Sequence, residues 1–289
     1  MTKQKIIFIG ASQFAVPSLK NLIKNNYDIL AVITAPDKPV GRKQELFSCP
    51  VKQTALKHKL SILQPIKISE VSDKIAKLKP DLIIVASYGQ IIPKNILDIP
   101  CFGSINIHPS LLPKYRGPSP IQTAILNNEK TTGITIMLMD EKMDHGPIIS
   151  QETTLIDTDD NYQTLEKKLS EQSADFLIKT LPQYIQNKIK PQIQNENNAT
   201  YTKILTREHG KINWNQTAQQ IERMIRAFFP WPGAWTELNG KRIKILKAKA
   251  VDKKQKSALP AKKGFLLCEI VQPAGKKPMT GEEFFRGIH

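Results

Sequence analysis

The chain has 289 residues, 40% of them hydrophobic and 24% charged, and a formal net charge of +16. That composition is ordinary for a globular protein with room for two domains, and no stretch approaches the roughly 18 consecutive apolar residues of a membrane span. Three cysteines, Cys49, Cys101 and Cys268, are odd in number, far apart and without metal-ligand spacing, which argues against disulfides and against a metal, and for a reducing cytoplasm.

Along the first 190 residues, short β-branched runs alternate with stretches of helical spacing. Residues 6–9, 29–33, 82–86, 104–107 and 134–139 predict buried strands; 16–24, 69–78 and 118–127 predict helices. The run at 6–9 is too short for a secretory signal and leads directly into Gly10. Such alternation predicts an α/β domain over residues 1–185, a doubly wound, mostly parallel, Rossmann-like sheet with its ligands at the carboxyl ends of strands. The first strand-to-helix turn, Gly10-Ala-Ser-Gln-Phe, has a single glycine and no Gly-Lys-Ser/Thr end. A dinucleotide or a P-loop phosphate site is therefore not expected there. Asp159 and Asp160 stand where a helix cap would precede the apolar face of Leu165, Leu169, Phe176, Leu177, Leu181 and Tyr184.

Residues 186–206 read as a linker, amide-rich up to residue 200. Beyond it, Thr217-Ala-Gln-Gln220 forms a capping box for a helix that Pro230 stops. Asn239-Gly240 then predicts a hairpin turn between 234–238 and 241–251. In the second of these strands Ile243 and Ile245 share one phase while Leu246, Ala248 and Ala250 share the other. A bulge near Ile245 reconciles the phases and leaves Arg242, Lys244, Lys247 and Lys249 facing outward. Residues 207–289 thus predict a small basic β-domain, expected to be an OB-like β-barrel. Residues 201–289 carry 18 Lys and Arg against 7 Asp and Glu, a balance of +11, so this segment is expected to meet a polyanion.

The densest polar signal is Gly103-Ser-Ile-Asn-Ile-His-Pro-Ser-Leu-Leu-Pro-Lys-Tyr-Arg-Gly117. Asn106 and His108 are two apart on a strand and share one side of the sheet, and Pro109 sets the imidazole at the strand's carboxyl edge. An amide beside an imidazole offers a donor for an oxyanion and a group that moves a proton near neutral pH. A second cluster, Met139-Asp-Glu-Lys-Met-Asp-His-Gly-Pro147, lies between apolar runs. Its Asp144 reads either as a turn residue or as a carboxylate that adjacent strand ends bring to His108.

Together these two stretches resemble the signature of the folate-dependent formyltransferases. The resemblance implies that Asn106, His108 and Asp144 are catalytic and that Ser110, Leu111, Leu112 and Pro113 line the folate site. It implies 10-formyltetrahydrofolate as donor, with no metal. Ile7-Phe-Ile-Gly-Ala-Ser-Gln-Phe-Ala-Val-Pro17, Val32-Ile-Thr-Ala-Pro-Asp-Lys-Pro-Val-Gly-Arg42, Gly210-Lys-Ile-Asn-Trp214, Phe229-Pro-Trp-Pro-Gly-Ala-Trp235 and Lys277-Pro-Met-Thr-Gly281 are similar to the branch that formylates methionyl-tRNA. The initiator methionyl-tRNA is the partner so implied, with Arg42 and Lys43 near its acceptor end and the outward cations, Arg242, Lys244, Lys247 and Lys249, on its phosphates. Formyl transfer to a sugar nucleotide or glycinamide ribonucleotide, or formyl-folate hydrolysis, are the alternatives. A monomer in the cytoplasm is expected. The chain departs from the family at Lys142 and His145, where relatives have Gly and Thr, and His145 adjoins Asp144.

Overall fold

β1 (Lys5–Gly10) buries every residue after its first, because Ile-Ile-Phe-Ile leaves no polar side chain to face water on either side of the sheet. The computed structural model describes residues 3–40 and 45–287. After β1, α1 (Val16–Lys24) turns Val16, Leu19 and Leu22 inward, and β2 (Asp28–Ile33) follows. The insert at 36–52 holds β3 (Lys38–Val40), paired antiparallel with β4 (Glu45–Phe47), and the start of α2 (Pro50–Lys57). Then come β5 (Ile62–Leu63), α3 (Ser72–Leu78), β6 (Leu82–Ala86), α4 (Lys94–Leu97) and β7 (Ser104–His108). The helix expected over 69–78 is two elements, a 3₁₀ turn at Ile68–Val71 and then α3, with Val71 (φ −112°, ψ 9°) outside helical geometry. Next are α5 (Pro120–Leu126), β8 (Thr131–Leu138), β9 (Ile148–Leu155) and the long α6 (Tyr162–Ile185).

Seven strands form one sheet in the order β5-β2-β1-β6-β7-β8-β9. The pairs β5–β2, β2–β1, β1–β6 and β6–β7 are parallel, whereas β8 runs antiparallel to β7. Strand order therefore reverses between β1 and β6, the position at which sheets of this kind open a crevice for ligands. One face carries a core of Ile7, Ile9, Ile33, Ile75, Ile83, Val85 and Tyr88, all buried.

The chain divides into two units: Met1–Pro118, Thr132–Thr154 and Lys167–Tyr201 form the first, Ser119–Thr131, Leu155–Glu166 and Thr202–His289 the second. Residues 186–201, read above as a linker, belong to the first unit: Gln192 and Ile148 exchange backbone hydrogen bonds (both 2.8 Å), and Gln194 is buried. Where Asp159 and Asp160 were expected to cap α6, Asn161 does so. Its Oδ1 accepts from the Thr164 N–H (3.0 Å) while Thr164 Oγ1 accepts from the Asn161 N–H (3.0 Å). Asp160 instead accepts from the Asp157 N–H and the Thr164 hydroxyl.

In the second unit α7 (Ala218–Phe228) opens on the Thr217–Gln220 capping box and ends before Pro230. β10 (Ala234–Leu238) and β11 (Lys241–Val251) form the expected hairpin, with Asn239 (φ 49°) and Gly240 (φ 72°) both left-handed, as its tight turn requires. β12 (Ala258–Pro260), β13 (Phe265–Pro273) and β14 (Met279–Thr280) complete an antiparallel sheet, and α8 (Gly281–Arg286) follows. The register of β11 on β13 shifts between Ile245 and Lys247, so the bulge lies where the change of phase required it. Ile221, Ile225, Phe228, Ile243, Ile245, Leu266 and Val271 are buried, while Arg242, Lys247 and Lys249 are exposed and Lys244 partly so.

Candidate active site

Ile105 and Ile107 of β7 are buried, so the alternate residues Asn106 and His108 share the other side of the strand. Residues 109–117 then form a buried turn held by its own polar groups. The Ser110 hydroxyl donates to the Lys114 carbonyl (2.7 Å), and the Leu112 N–H donates to Thr135 Oγ1 (3.1 Å), whose hydroxyl donates to the Ser110 carbonyl (2.6 Å). Gln151 Nε2 donates to the Leu112 carbonyl (2.9 Å). Leu112–Pro113 is a cis peptide, and Leu111 is packed so closely that a Cβ on Gly133 would strike it. The Ser110–Pro113 stretch is thus a fixed wall beside His108.

The imidazole of His108 is buried, and its Nε2 lies 3.0 Å from the Tyr115 carbonyl. A carbonyl only accepts, so this contact requires the proton on Nε2 and leaves the lone pair of the neutral ring on Nδ1. Asp144 Oδ2 lies 3.5 Å from that Nδ1. Asp144 also accepts from Asn106 Nδ2 at Oδ1 (3.2 Å) and from the Gly117 N–H at Oδ2 (2.7 Å). One carboxylate therefore fixes the amide and faces the imidazole, and the contact with Asn106 occupies one of that amide's two N–H donors.

The strand directions do not by themselves bring Asp144 there. Because β8 is antiparallel to β7, its carboxyl end lies beside Ser104, where the Met139 N–H donates to the Ser104 carbonyl (2.8 Å), and not beside His108. Residues 139–147 run back along β7, and Asp144 adopts a left-handed backbone (φ 49°), as does Tyr115 (φ 63°). Such conformations are costly for non-glycine residues and persist only when the surroundings impose them.

A chain of side-chain hydrogen bonds that the sequence pattern does not reveal holds the Asp144 loop. Gln194 Nε2 donates to the carbonyls of Asp144 (2.9 Å) and Gly146 (2.8 Å), holding the loop from beneath. Gln194 Oε1 accepts in turn from Arg116 Nε (3.1 Å) and Nη2 (2.9 Å). Arg116 is fully buried and makes a bidentate pair with Glu196 (2.6 and 3.0 Å), with Tyr201 Oη accepting from Nη1 (2.9 Å). Those bonds raise the Arg116 pKa and hold the Glu196 carboxyl below its ordinary range. The signal available in the sequence was Arg116 itself, since a guanidinium inside a site motif needs a carboxylate, and the amide-rich segment after residue 186 contained one.

His145 turns away from the Asp144 carboxylate. Its Nδ1 lies 2.5 Å from Asp140 Oδ2 and its Nε2 3.4 Å from Glu196. At the crevice between β1 and β6, Ser12 Oγ and Tyr88 Oη are buried with no partner among the described residues, as suits a polar ligand between those strand ends. Arg42 and Lys43 lie outside the described residues. Of the other outward cations, Arg242 stacks on Trp235 at 3.7 Å, and Lys247 and Lys249 share Glu269 (3.1 and 3.0 Å). Among the described residues, no group of histidine, cysteine and carboxylate side chains could hold a metal, and no helix is long and apolar enough to cross a membrane.

Residues 4–181 match the family model described as formyl transferase, and residues 204–289 match that of the formyl transferase C-terminal domain. The chain is 42% identical over 301 aligned positions to the methionyl-tRNA formyltransferase of Bacillus subtilis, covering 99% of this chain and 95% of that one. It is 44% identical to the enzyme of that name from Bacillus pumilus, with the same coverage. Among solved structures, a sugar 3N-formyltransferase determined with dTDP and 5-N-formyl-THF superposes with a TM-score of 0.69 at 25% identity, over 96% of this chain and all of that one. An N-formyltransferase from Helicobacter canadensis superposes with a TM-score of 0.71 at 23% identity, over 93% and 99% of the two chains.

Proposed function

This chain belongs to the formyl transferase family, and we propose that it moves the formyl group of 10-formyltetrahydrofolate to the α-amine of methionyl initiator tRNA, for translation initiation. The observation that carries the reading is the convergence of Asn106, His108 and Asp144 through one carboxylate at the end of β7. The choice of acceptor is supported by relatives of that name, more than 40% identical over nearly the whole chain.

A free α-amine has a pKa of about 7.7–8.0, so much of it is protonated near neutral pH and must lose a proton to attack. That first proton goes to solvent; as the neutral amine attacks, His108 Nδ1, which carries the available lone pair, accepts a proton from the attacking nitrogen, and the Asp144 carboxylate, 3.5 Å away, stabilises the imidazolium that results. As the amine nitrogen bonds to the formyl carbon, negative charge grows on the formyl oxygen, and the second N–H of the Asn106 amide donates to it. The bond from the formyl carbon to the folate nitrogen then breaks. The proton held by His108 passes to that nitrogen, so charge and atoms balance with no covalent enzyme intermediate. Ser110–Pro113 forms one wall of the folate site, and Ser12 and Tyr88 supply polar contacts to the folate at the switch point.

Arg42 and Lys43 approach the tRNA acceptor end, and the cations of β11 hold its phosphates, a contact that gives affinity and salt dependence more than sequence choice. The protein acts as a cytoplasmic monomer, with the catalytic residues in the first unit and the tRNA-contacting cations of β11 in the second. The test is formyl transfer from 10-formyltetrahydrofolate to charged initiator tRNA, measured against charged elongator methionine tRNA and a free amino sugar nucleotide. Transfer to the sugar nucleotide at a rate matching or exceeding that to tRNA would refute the acceptor assigned.

A further inference from the structure

The second unit contains a cavity of about 560 Å³ that the reaction described above does not use. It lies between the carboxyl half of α7, the segment preceding α6 and the bulged half of β11. Its floor is apolar, made of Ile225, Phe229, Leu246, Ala248, Ile270 and Pro278. Its rim is polar: Asp159 and Asn161 on one side, Lys247 and Lys249 on the other. The bulge between Ile245 and Lys247 makes this possible, because it lets Leu246, Lys247, Ala248 and Lys249 all border one space.

Ile270 is more than one-third exposed at this wall, so its side chain is accessible from the cavity. Lys247 and Lys249 share the single carboxylate of Glu269, and both remain mostly exposed. Arg226 is already committed, to Glu222 and to the Asp160 carbonyl (2.8 Å), and so forms a fixed part of the wall. The space therefore combines an aromatic and aliphatic interior, side chains able to donate to and accept from a ring edge, and two ammonium groups at the mouth. A flat heterocycle joined to a phosphate meets all three conditions. Its volume lies in the range of small-molecule sites.

We propose that this cavity receives one unpaired nucleotide of the tRNA, with its base among Ile225, Phe229, Leu246 and Ile270 and its phosphate at Lys247 and Lys249. The proposal rests on the reading that the acceptor is tRNA. RNA sequence is read mostly through unstacked bases placed against aromatic and apolar side chains, because the major groove of an RNA helix is too narrow for side chains to enter. A pocket beside phosphate-holding lysines would supply such readout on a surface otherwise limited to charge.

The test uses the full-length protein with methyl-labelled isoleucine and leucine. Saturable movement of the Ile225, Leu246 and Ile270 methyl resonances on adding initiator tRNA supports the proposal. In Ile270→Trp, whose indole intrudes on the space, tRNA affinity should fall about tenfold, while Ile270→Val binds as wild type. Methyl resonances that stay still while tRNA binds with ordinary salt dependence overturn the proposal and leave the acceptor assignment standing. Movement with free nucleoside 5′-monophosphates but not with tRNA also overturns it, making the cavity a free-nucleotide site. If wild-type protein fails to bind tRNA at all, the acceptor assignment and the proposal fall together.

Discussion

The two polar concentrations of this molecule are held in opposite ways. At the end of β7, Asn106, His108 and Asp144 are buried or half-buried, and each is fixed by a hydrogen bond or close charge contact with another group of the site. Along β11 the cations are exposed or partly so, with Arg242 lying on the Trp235 ring and Lys247 and Lys249 crowding one carboxylate. Low dielectric and fixed geometry make the first region intolerant of small change, while water and salt make each member of the second weak by itself. In the function proposed, the first stabilises a passing charge, and the second gathers a large anion by many small contributions.

The largest effect should come from removing the donor aimed at the developing charge. In Asn106→Ala, kcat is expected to fall about 10²- to 10³-fold with little change in KM, the loss typical of one oxyanion-site donor. Steady-state kinetics with charged tRNA would check this. A KM effect alone would mean that Asn106 binds substrate in its ground state, which would weaken the contrast between the regions.

Gln194 is next. It touches no substrate in the mechanism proposed and acts by holding the carbonyls of Asp144 and Gly146. Gln194→Glu keeps an acceptor for Arg116 but offers no N–H to those carbonyls. We expect kcat to drop about 10- to 100-fold with KM and tRNA affinity unchanged, since small misplacements of reacting groups cost on that order. A wild-type kcat in that variant would show that the left-handed turn at Asp144 is held by other contacts.

Gln194 also marks where the sequence stopped being readable. The strand 82–86, the Thr217 cap, the Asn239-Gly240 hairpin and the bulge near Ile245 were all legible, because each is decided by neighbours in sequence through period, capping or turn chemistry. The placement of Asn106 and His108 on one side of β7 was legible for the same reason. Gln194 and Glu196 were not: they act on Arg116 across 78 and 80 positions and on the Asp144 loop across 50. Locally they have the composition of a linker, and only the buried guanidinium they surround makes them part of the site. The cap on α6 went to Asn161 and not to the aspartates before it for a related reason. Asp160 is engaged with the Asp157 N–H and the Thr164 hydroxyl, which a list of capping residues does not reveal.

The Arg116–Glu196 pair allows a pH test with a defined sign. Hydrogen bonds from Arg116 hold the Glu196 carboxyl below its ordinary value. A depressed folded-state pKa contributes stability that is present above the unfolded carboxylate pKa of about 4.3 and is lost as pH falls through the lower folded value. Glu196→Gln should therefore melt below wild type by a constant interval at neutral pH, and the interval should shrink below about pH 4. An interval independent of pH down to strong acid would mean that shape, and not charge, holds Arg116.

The smallest effect, and the one that sharpens the contrast most, belongs to Lys249. The side chain is mostly exposed and shares Glu269 with Lys247, so Lys249→Ala should change stability by less than about 1 kcal/mol and leave kcat untouched. Its contribution should appear only in tRNA affinity measured against salt, where one lost phosphate contact lowers the slope of log affinity on log salt by about 1. Arg242→Ala should lower that slope similarly but also cost stability, because the guanidinium covers the Trp235 ring at 3.7 Å. If Lys249→Ala lowered kcat while sparing the salt slope, the basic strand would have to be counted as part of the reacting machinery. If both single variants lower the slope and the double variant lowers it by their sum, the strand acts as a set of independent charges. Additivity of that kind is not expected between Asn106 and Asp144, where one carboxylate serves both the amide and the imidazole.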